Sequence, residues 1–561
     1  MPTGVEVEQM LTGPGGAFEV TRETVRGVEM KVFKERMRSL RDIVPMAAMR
    51  GDGDGATHIV YGDRRIGFGE LTTGANRVSS ALAALGVTRG DRVAVLSANN
   101  PEWVYTFWGT VNLGAVLVGL NGWWKADEIL YGLEDSGARV LVADRGRFDR
   151  IADQVESLGL DAVYIVEDNF GALLDGPSDA LPDGPIDEDD PAVIFYTSGT
   201  TGKPKGAIST HRSMIANLQN TMYNAVAGAM RNPQADALSS GAGSQTASLL
   251  TSPMFHVSGC HSGMVVGLLA GIKLVIPQGK FEPEKAMQLI EDEKISVWAT
   301  VPTMVWRVVE HPDRHNYDLS SIATVAYGGS PSAAELQRRV QETFGAVKTL
   351  GNAYGLTESS SVATAIGGED FLARPDSVGR PMPVVDVRIV REDGTDAPIG
   401  QLGEVWIKGP IIMPGYWNKP EATAESVTDG WLHSGDIGYL DEEGFLYITD
   451  RAKDMIIRGG ENVYCVEIEN RLSEHPAIAE AAVIGVPHQS LGEEVKAVVR
   501  VEPGATITEA EVRDWVAATL ANFKVPTYVE IVTETLPRNA SGKLLKNVLR
   551  GEGEVSFAET L

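Results

Sequence analysis

Cysteine is almost absent. Cys260 and Cys465 are the only two in 561 residues, too few for a disulfide framework and in keeping with a reducing cytoplasm. Positive charge is scarce as well: 49 Lys and Arg face 76 Asp and Glu, a formal net charge of −27. Such a chain repels nucleic-acid backbones and anionic membranes at long range, so nucleic acid is not an expected partner. A nucleotide stays open, because a few amides and one or two cations in a small pocket override the global field. The opening segment MPTGVEVEQM has no basic stretch followed by an apolar run, and no signal peptide is read there. No Gly-x-Ser-x-Gly occurs, which excludes a hydrolase nucleophile elbow. Metal-ligand clusters are thin: His256, Cys260 and His261 lack a nearby fourth ligand, and His311 and His315 are interrupted by Pro312. One uncharged run, residues 103–124, reaches the length of a membrane span, but Asn112, Asn121 and four glycines divide it. A buried helix over 101–113 and a short strand over 115–120 fit it better, and no integral membrane segment is expected.

What is present is an ordinary globular balance, 43% hydrophobic and 22% charged, over a length that suggests about three to four folding units. The first ~50 residues read as a partly ordered leader. Hairpin signals flank Gly62 and Asp63, and apolar positions Leu71, Ala75, Val78, Leu82 and Leu85 recur at helical spacing. Short apolar strands at 93–96, 139–143, 162–166, 192–196, 273–276, 297–301 and 324–327 alternate with helical stretches, which predicts parallel sheets covered by helices. Residues 175–191 and 232–248 read as connectors. From 384 to 449 the texture turns to short β-rich runs, and the segment after Asp450 has strands at 481–486 and 494–501 and a helix at 509–520. The fold class expected is α/β: a large N-terminal domain of helix-covered sheets plus a β-rich subdomain, with a small mobile α+β C-terminal domain. The boundaries expected are a leader over 1–50, a large domain over 51–449 and a small domain over 450–561.

The strongest local signal is YTSGTTGKPKG at 196–206, which leaves a buried strand. Its glycines let backbone N–H groups converge on an oxyanion, and its hydroxyls and lysines add donors and positive charge. A solvated surface loop has no need of that density. It is not a Walker A loop, since Thr197 stands where the first glycine belongs and Pro204 replaces the metal-binding hydroxyl residue.

This loop resembles the phosphate loop of the adenylate-forming superfamily, which includes acyl-CoA synthetases, luciferases and peptide-synthetase adenylation domains. NAYGLTE at 352–358, WLHSGD at 431–436, Asp450-Arg451 and PRNASGK at 537–543 resemble that family's further motifs, in the family's order. The resemblance is nearest to fatty-acid or carboxylic-acid CoA ligases, and it implies ATP, Mg²⁺ and coenzyme A. It assigns the ATP phosphates to Thr197, Ser198, Gly199, Thr200, Thr201, Gly202 and Lys205, and Mg²⁺ to Glu358, a hard ligand for a hard cation. Thr357 would contact the α-phosphate. Tyr354, with Asn352, Ala353 and Gly355 in its motif, would flank adenine opposite Gly328, Gly329 and Ser330. Asp436 would accept the two ribose hydroxyls, an acceptor-only carboxylate meeting paired donors, with Arg451 reaching the same sugar. Lys543 would bridge the attacking carboxylate and the α-phosphate where charge builds up. Taken alone, Asp436 reads as a turn cap and Lys543 as a solvated turn lysine; their context lifts both.

The same resemblance places an acyl pocket at His256 and Gly329, although a lone histidine is also a common core residue. IIRGGENV at 456–463 would line a CoA tunnel through Gly459 and Gly460, and Asp450 would be the hinge. Cys465 with Val466, and Trp123 with Trp124, depart from the family's usual residues and leave those loops less defined. The activity implied is an acid–CoA ligase that forms an acyl-adenylate and then a thioester. Small residues at 328–330 favour a roomy pocket, hence a medium- or long-chain aliphatic or bulky alicyclic acid. The rival is a stand-alone adenylation enzyme loading a carrier protein; a luciferase-like oxygenase and a membrane-embedded protein trail it. A cytoplasmic location is expected, and a homodimer is compatible with this reading.

Overall fold

A computed structural model describes residues 4–52, 56–177, 182–197, 203–231, 245–328, 334–345, 347, 349–459, 461–539 and 543–551. Among these residues the chain forms four larger sheets and a separate N-terminal hairpin. One sheet runs in the order 205–210, 191–197, 116–119, 92–96, 140–143 and 162–165. Its inner strands are parallel and only Lys205–Thr210 is antiparallel, to Pro191–Thr197. A nine-stranded sheet has a parallel centre from Thr57–Tyr61 through Lys273–Val275, Ala247–Leu249, Val297–Thr300 and Thr324–Gly328 to Thr349–Tyr354, with antiparallel strands at both edges. Helices cover these sheets, as the alternation of short apolar strands and amphipathic stretches predicts.

The uncharged run is core. Every residue of the helix Pro101–Asn112 is buried, and Val116–Gly119 follows as a central strand. The Asn100 side chain accepts the Trp103 N–H at 2.8 Å and caps the helix, with proline at its first position. Gly109 is needed for close helix packing, because a Cβ there would fall 2.5 Å from Val78. Among the described residues no helix is long and apolar enough to cross a membrane.

An antiparallel sheet of Asp386–Val390, Gly403–Lys408, Trp431–Leu440, Val427–Thr428 and Leu446–Arg451 forms the β-rich part. Beyond it, Ile456, Val463, Ile468, Val483, Val495 and Val512 build an apolar core of their own around a further five-stranded sheet. In that part the helix Glu509–Ala517 starts at a reciprocal cap between Thr508 and Glu511 and ends three residues before the expected Leu520.

The leader over 1–50, expected to be only partly ordered, is packed against the rest of the chain along its described residues. Val7, Leu11, Phe18 and Phe33 are buried against Ile407, Ile411 and Tyr416, and Leu40 and Ile43 sit in the main core. The hairpin Val20–Val25/Val28–Phe33 is tied down by Arg26 to the Ile412 carbonyl at 2.8 Å and by Lys31 to Asp386 at 2.7 Å. The connector before Pro191 is likewise anchored near its end, where buried Glu188 meets Arg36, Arg38 and Arg212. Most of the second connector lies outside the described residues.

Candidate active site

Three motifs are linked by side-chain contacts, through Tyr416 between Lys205 and Glu358 and through Tyr354 to Asp436. Strand Pro191–Thr197 delivers the chain to the glycine-rich loop and strand Lys205–Thr210 carries it back, with Thr197 directly opposite Lys205. Ser198, Gly199, Thr200, Thr201 and Gly202 lie outside the described residues. The returning stem is held firmly. The Tyr131 hydroxyl donates to the Pro204 carbonyl at 3.2 Å, and the Lys203 ammonium sits 4.6 Å over the Tyr131 ring. Lys205 extends over the ring of Tyr416, also at 4.6 Å.

The second motif is the turn after strand Thr349–Tyr354. Gly355 has a steric cause: a Cβ there would fall 1.6 Å from the Ser361 carbonyl oxygen. Thr357 opens a single 3₁₀ turn, after which Ser360 and Ser361 take φ of 51° and 104°. Buried hydroxyls hold that strained bend, Ser360 to Ser209 and Ser213 and Ser361 to Ser262. The bend presents Glu358, whose backbone carbonyl accepts the Met413 N–H at 2.8 Å and whose Oε1 accepts the Tyr416 hydroxyl at 2.8 Å. Among the described residues the other carboxylate oxygen, Oε2, has no hydrogen-bond partner, so it has lone pairs to offer a hard cation. Asn352 is buried with its Oδ1 unpartnered, and Ala353 pairs with Gly328 across parallel strands. Among the described residues, a Cβ on Gly328 would meet only the Ala353 carbonyl, at 3.7 Å. Gly329 and Ser330 lie outside the described residues.

The third group is centred on Asp436, which is 3% exposed. Asp436 and Arg451 are cross-strand partners, with Arg451 Nε 3.2 Å from Asp436 Oδ1. The Tyr354 hydroxyl donates to Asp436 Oδ2 at 2.6 Å. Burial, followed by the Asp436 charge, pushes the Tyr354 phenol well above its ordinary range, so it stays a neutral donor. Lys543 lies in the field of the same pair. Burial pulls its ammonium down to about 8, Arg451 and Lys453 add repulsion, and Asp436 and Asp454 oppose the shift. Asn539 fixes the lysine's backbone, with Asn539 Oδ1 accepting the Lys543 N–H at 2.9 Å.

Asp450 precedes Arg451 and is buried. It accepts the N–H groups of Arg451 and Cys465, and burial pushes its carboxyl up to about 6 against the opposing field of Lys546. Gly459, with φ of +61°, enters the turn between Ile456–Arg458 and Glu461–Val463, where its N–H donates to the Leu491 carbonyl. Gly460 lies outside the described residues. The backbone contact of Gly459 is thus within the C-terminal part, whereas Lys543 feels the charges of the Asp436–Arg451 pair. His256 stands two residues before the π-helix Ser258–Val265, its Nε2 buried without a partner among the described residues. Burial pulls it down to about 4, so it is neutral at pH 7. Tyr416 and Tyr131 were not singled out from sequence; their partners are far along the chain, and only the MPGYW string at 413–417, in an otherwise turn-rich stretch, marks the first of them.

The comparisons with known proteins give the class, an AMP-forming acyl-CoA synthetase. The chain belongs to the AMP-binding enzyme family: that family's model matches residues 47–417, and the model of its C-terminal domain matches residues 467–543. It is 36% identical to a feruloyl-CoA synthase of Amycolatopsis over 88% of this chain and 95% of that one. It is 35% identical to the long-chain-fatty-acid–CoA ligase FadD13 of Mycobacterium tuberculosis, over 87% and 93% of the two chains. Its fold superposes on ATP-bound MatB from Rhodopseudomonas palustris with a TM-score of 0.78 and 31% identity, covering 92% of this chain and 99% of that one. ATP and CoA are substrates of this class, and Mg²⁺ is usual in it.

Proposed function

We propose that this protein joins a carboxylic acid to coenzyme A in two half-reactions on one site. The acid's carboxylate oxygen attacks the α-phosphorus of ATP and pyrophosphate leaves, giving an acyl-adenylate. The CoA thiol then adds to the activated carbonyl carbon, gives up its proton and displaces AMP. What supports this reading is the buried Asp436–Arg451 pair with the Tyr354 hydroxyl on Asp436, and the field that this pair exerts on Lys543 from the segment after Asp450. A cation beside a ribose-binding carboxylate stands where the acid's carboxylate and the α-phosphate meet, and it offsets negative charge as the bond forms. Thr197 to Gly202 and Lys205 bind the outer phosphates, Thr357 the α-phosphate, and Tyr354 with Gly328 to Ser330 the base. Glu358 would hold Mg²⁺, which would supply charge neutralisation on the phosphates.

Lys543 and the Gly459–Gly460 turn serve different halves. Both belong to the segment after Asp450, and rotation about that residue exchanges them, a few dihedrals absorbing a large displacement. The acid is a medium- or long-chain aliphatic or bulky alicyclic one. The long-chain ligase among the relatives supports the aliphatic choice, while the feruloyl-CoA synthase supports an aryl acid equally. The protein works in the cytoplasm.

The test is release of AMP and pyrophosphate across a panel of alkyl, alicyclic and aryl acids, with CoA, with a phosphopantetheinylated carrier protein and with neither. Thioester only with the carrier protein would replace CoA as the acceptor. Measured separately, Lys543→Ala abolishes pyrophosphate exchange yet still converts supplied acyl-adenylate to thioester, and Gly460→Leu does the reverse. Equal loss of both halves in both variants overturns the exchange.

A further inference from the structure

Tyr416 has no part in the mechanism just described, yet it touches two of its charged groups. Its hydroxyl donates to Glu358 Oε1 at 2.8 Å, and the Lys205 ammonium lies 4.6 Å over the centre of its ring. The side chain is buried, 8% exposed. Its backbone is fixed from both sides. The Tyr416 N–H donates to Thr423 Oγ1 at 2.9 Å, and the residue bridges to Ala207 on the strand that returns from the glycine-rich loop. On either side of it the Trp417 N–H reaches the Gly206 carbonyl at 2.7 Å, and the Ile208 N–H reaches the Gly415 carbonyl at 3.2 Å. The same segment holds the backbone of Glu358 through Met413. Residues 413–417 therefore clamp the loop stem and the Glu358 turn together.

An ammonium and a carboxylate this near one another attract, and a direct pair would occupy the donors and lone pairs that phosphate and metal need. Here both are engaged by one neutral ring instead. The cation on the ring face draws electron density from the phenol and makes its O–H a better donor, so the two contacts reinforce each other. Burial and the Glu358 charge hold the phenol far above its ordinary range, so it donates at any working pH.

We propose that Tyr416 is a positioning residue of the adenylation step, keeping the phosphate-facing Lys205 and the metal-facing Glu358 apart and aimed before the nucleotide arrives. This rests on the roles given to those two residues under the proposed function.

Tyr416→Phe keeps the ring and removes the donor. The readout is the rise in unfolding temperature caused by ATP, titrated with MgCl₂ or measured in EDTA, alongside pyrophosphate exchange. Expected is a ~10-fold higher Mg²⁺ requirement, the size of a lost hydrogen bond to a charged group, with the shift by ATP in EDTA unchanged. Tyr416→Leu, which also loses the ring face, weakens ATP binding in EDTA too. In the Glu358→Gln background, Tyr416→Phe adds less than about twofold, because the two changes remove one interaction. Thr423→Val loosens the same segment without touching the ring, and it leaves the Mg²⁺ requirement unchanged. A parent-like Mg²⁺ titration in Tyr416→Phe, full additivity with Glu358→Gln, or an equal shift in Thr423→Val overturns the proposal. A parent protein that shows no response to ATP overturns the nucleotide reading beneath it, a result visible before any variant is compared.

Discussion

If Lys543 serves adenylate formation as proposed, the rate of that step should fall on the alkaline side at an unusually low pH. An exposed lysine titrates near 10.5, and here burial and the neighbouring Arg451 and Lys453 cations bring the group down to about 8. Roughly nine-tenths of the side chains are then charged at pH 7 and about one-tenth at pH 9, so each unit above 8 costs about tenfold in the cationic form. Only the cation offsets charge on the acid and α-phosphate, so kcat/KM for pyrophosphate exchange should drop along a single ionisation near pH 8. The limb in kcat should lie higher, because bound ATP brings negative charge beside the ammonium and raises its pKa. The sign for folding is opposite. The unfolded chain holds this proton up to about 10.5 and the folded one only to about 8, so stability from this group rises with pH across that window. A falling rate there is therefore not a loss of fold at Lys543. The assay is pyrophosphate exchange from pH 6.5 to 9.5 (ranges of about that width suffice), beside thioester formation from supplied acyl-adenylate, which should lack the limb. Lys543→Arg carries a charge that does not titrate and should remove the limb even if the rate falls. An unchanged limb in the arginine variant, or the same limb in both half-reactions, refutes the argument.

Glu358→Gln keeps size and removes charge, so turnover should fall ~100-fold or more, as loss of a transition-state electrostatic contact does; steady-state kinetics at saturating Mg²⁺ checks it, and a parent-like rate refutes it. Asp436→Ala removes the acceptor shared by Tyr354 and Arg451 and should weaken ATP binding by roughly 1.5–3 kcal/mol in calorimetry. Acid affinity should hold, and equal losses for both ligands would mean a folding defect. Gly355→Ala drives a methyl into the Ser361 carbonyl and should lower unfolding free energy by about 1–3 kcal/mol, the range for overpacking, read from urea denaturation.

The parallel sheets were legible because their strands are short, apolar and spaced by helical stretches. The strand expected at 192–196 is found as Pro191–Thr197, and the one at 324–327 as Thr324–Gly328. The leader was misread for a physical reason. Its first hairpin strand, Val20–Val25, is polar between two valines and only Val28–Phe33 alternates apolar with charged side chains, and much of the surface that covers them comes from residues around 385–416, which no local pattern announces. Among the motif residues, Tyr354, Asp436 and Arg451 are in direct contact, and Lys543 lies in the field of the last two. What the motifs do not carry is the connection between them. Tyr416 acts across 58 residues to Glu358, and a tyrosine in a turn-rich stretch has no sequence signature for that contact.

The N-terminal hairpin also sets the order in which this protein can be made. Arg26 waits for the carbonyl of Ile412, 386 residues later. At ~5–20 residues per second on a ribosome, the hairpin spends roughly 20–80 seconds without the surface that completes it. During that interval Val7, Leu11 and Phe18 gain helix His211–Arg231 as a first partner once it is made, but the strands and turns around 384–416 that complete their cover are still missing. A nascent chain stalled before residue 412 therefore leaves this cover half built, with apolar side chains near its N-terminal end for chaperones or proteases to find.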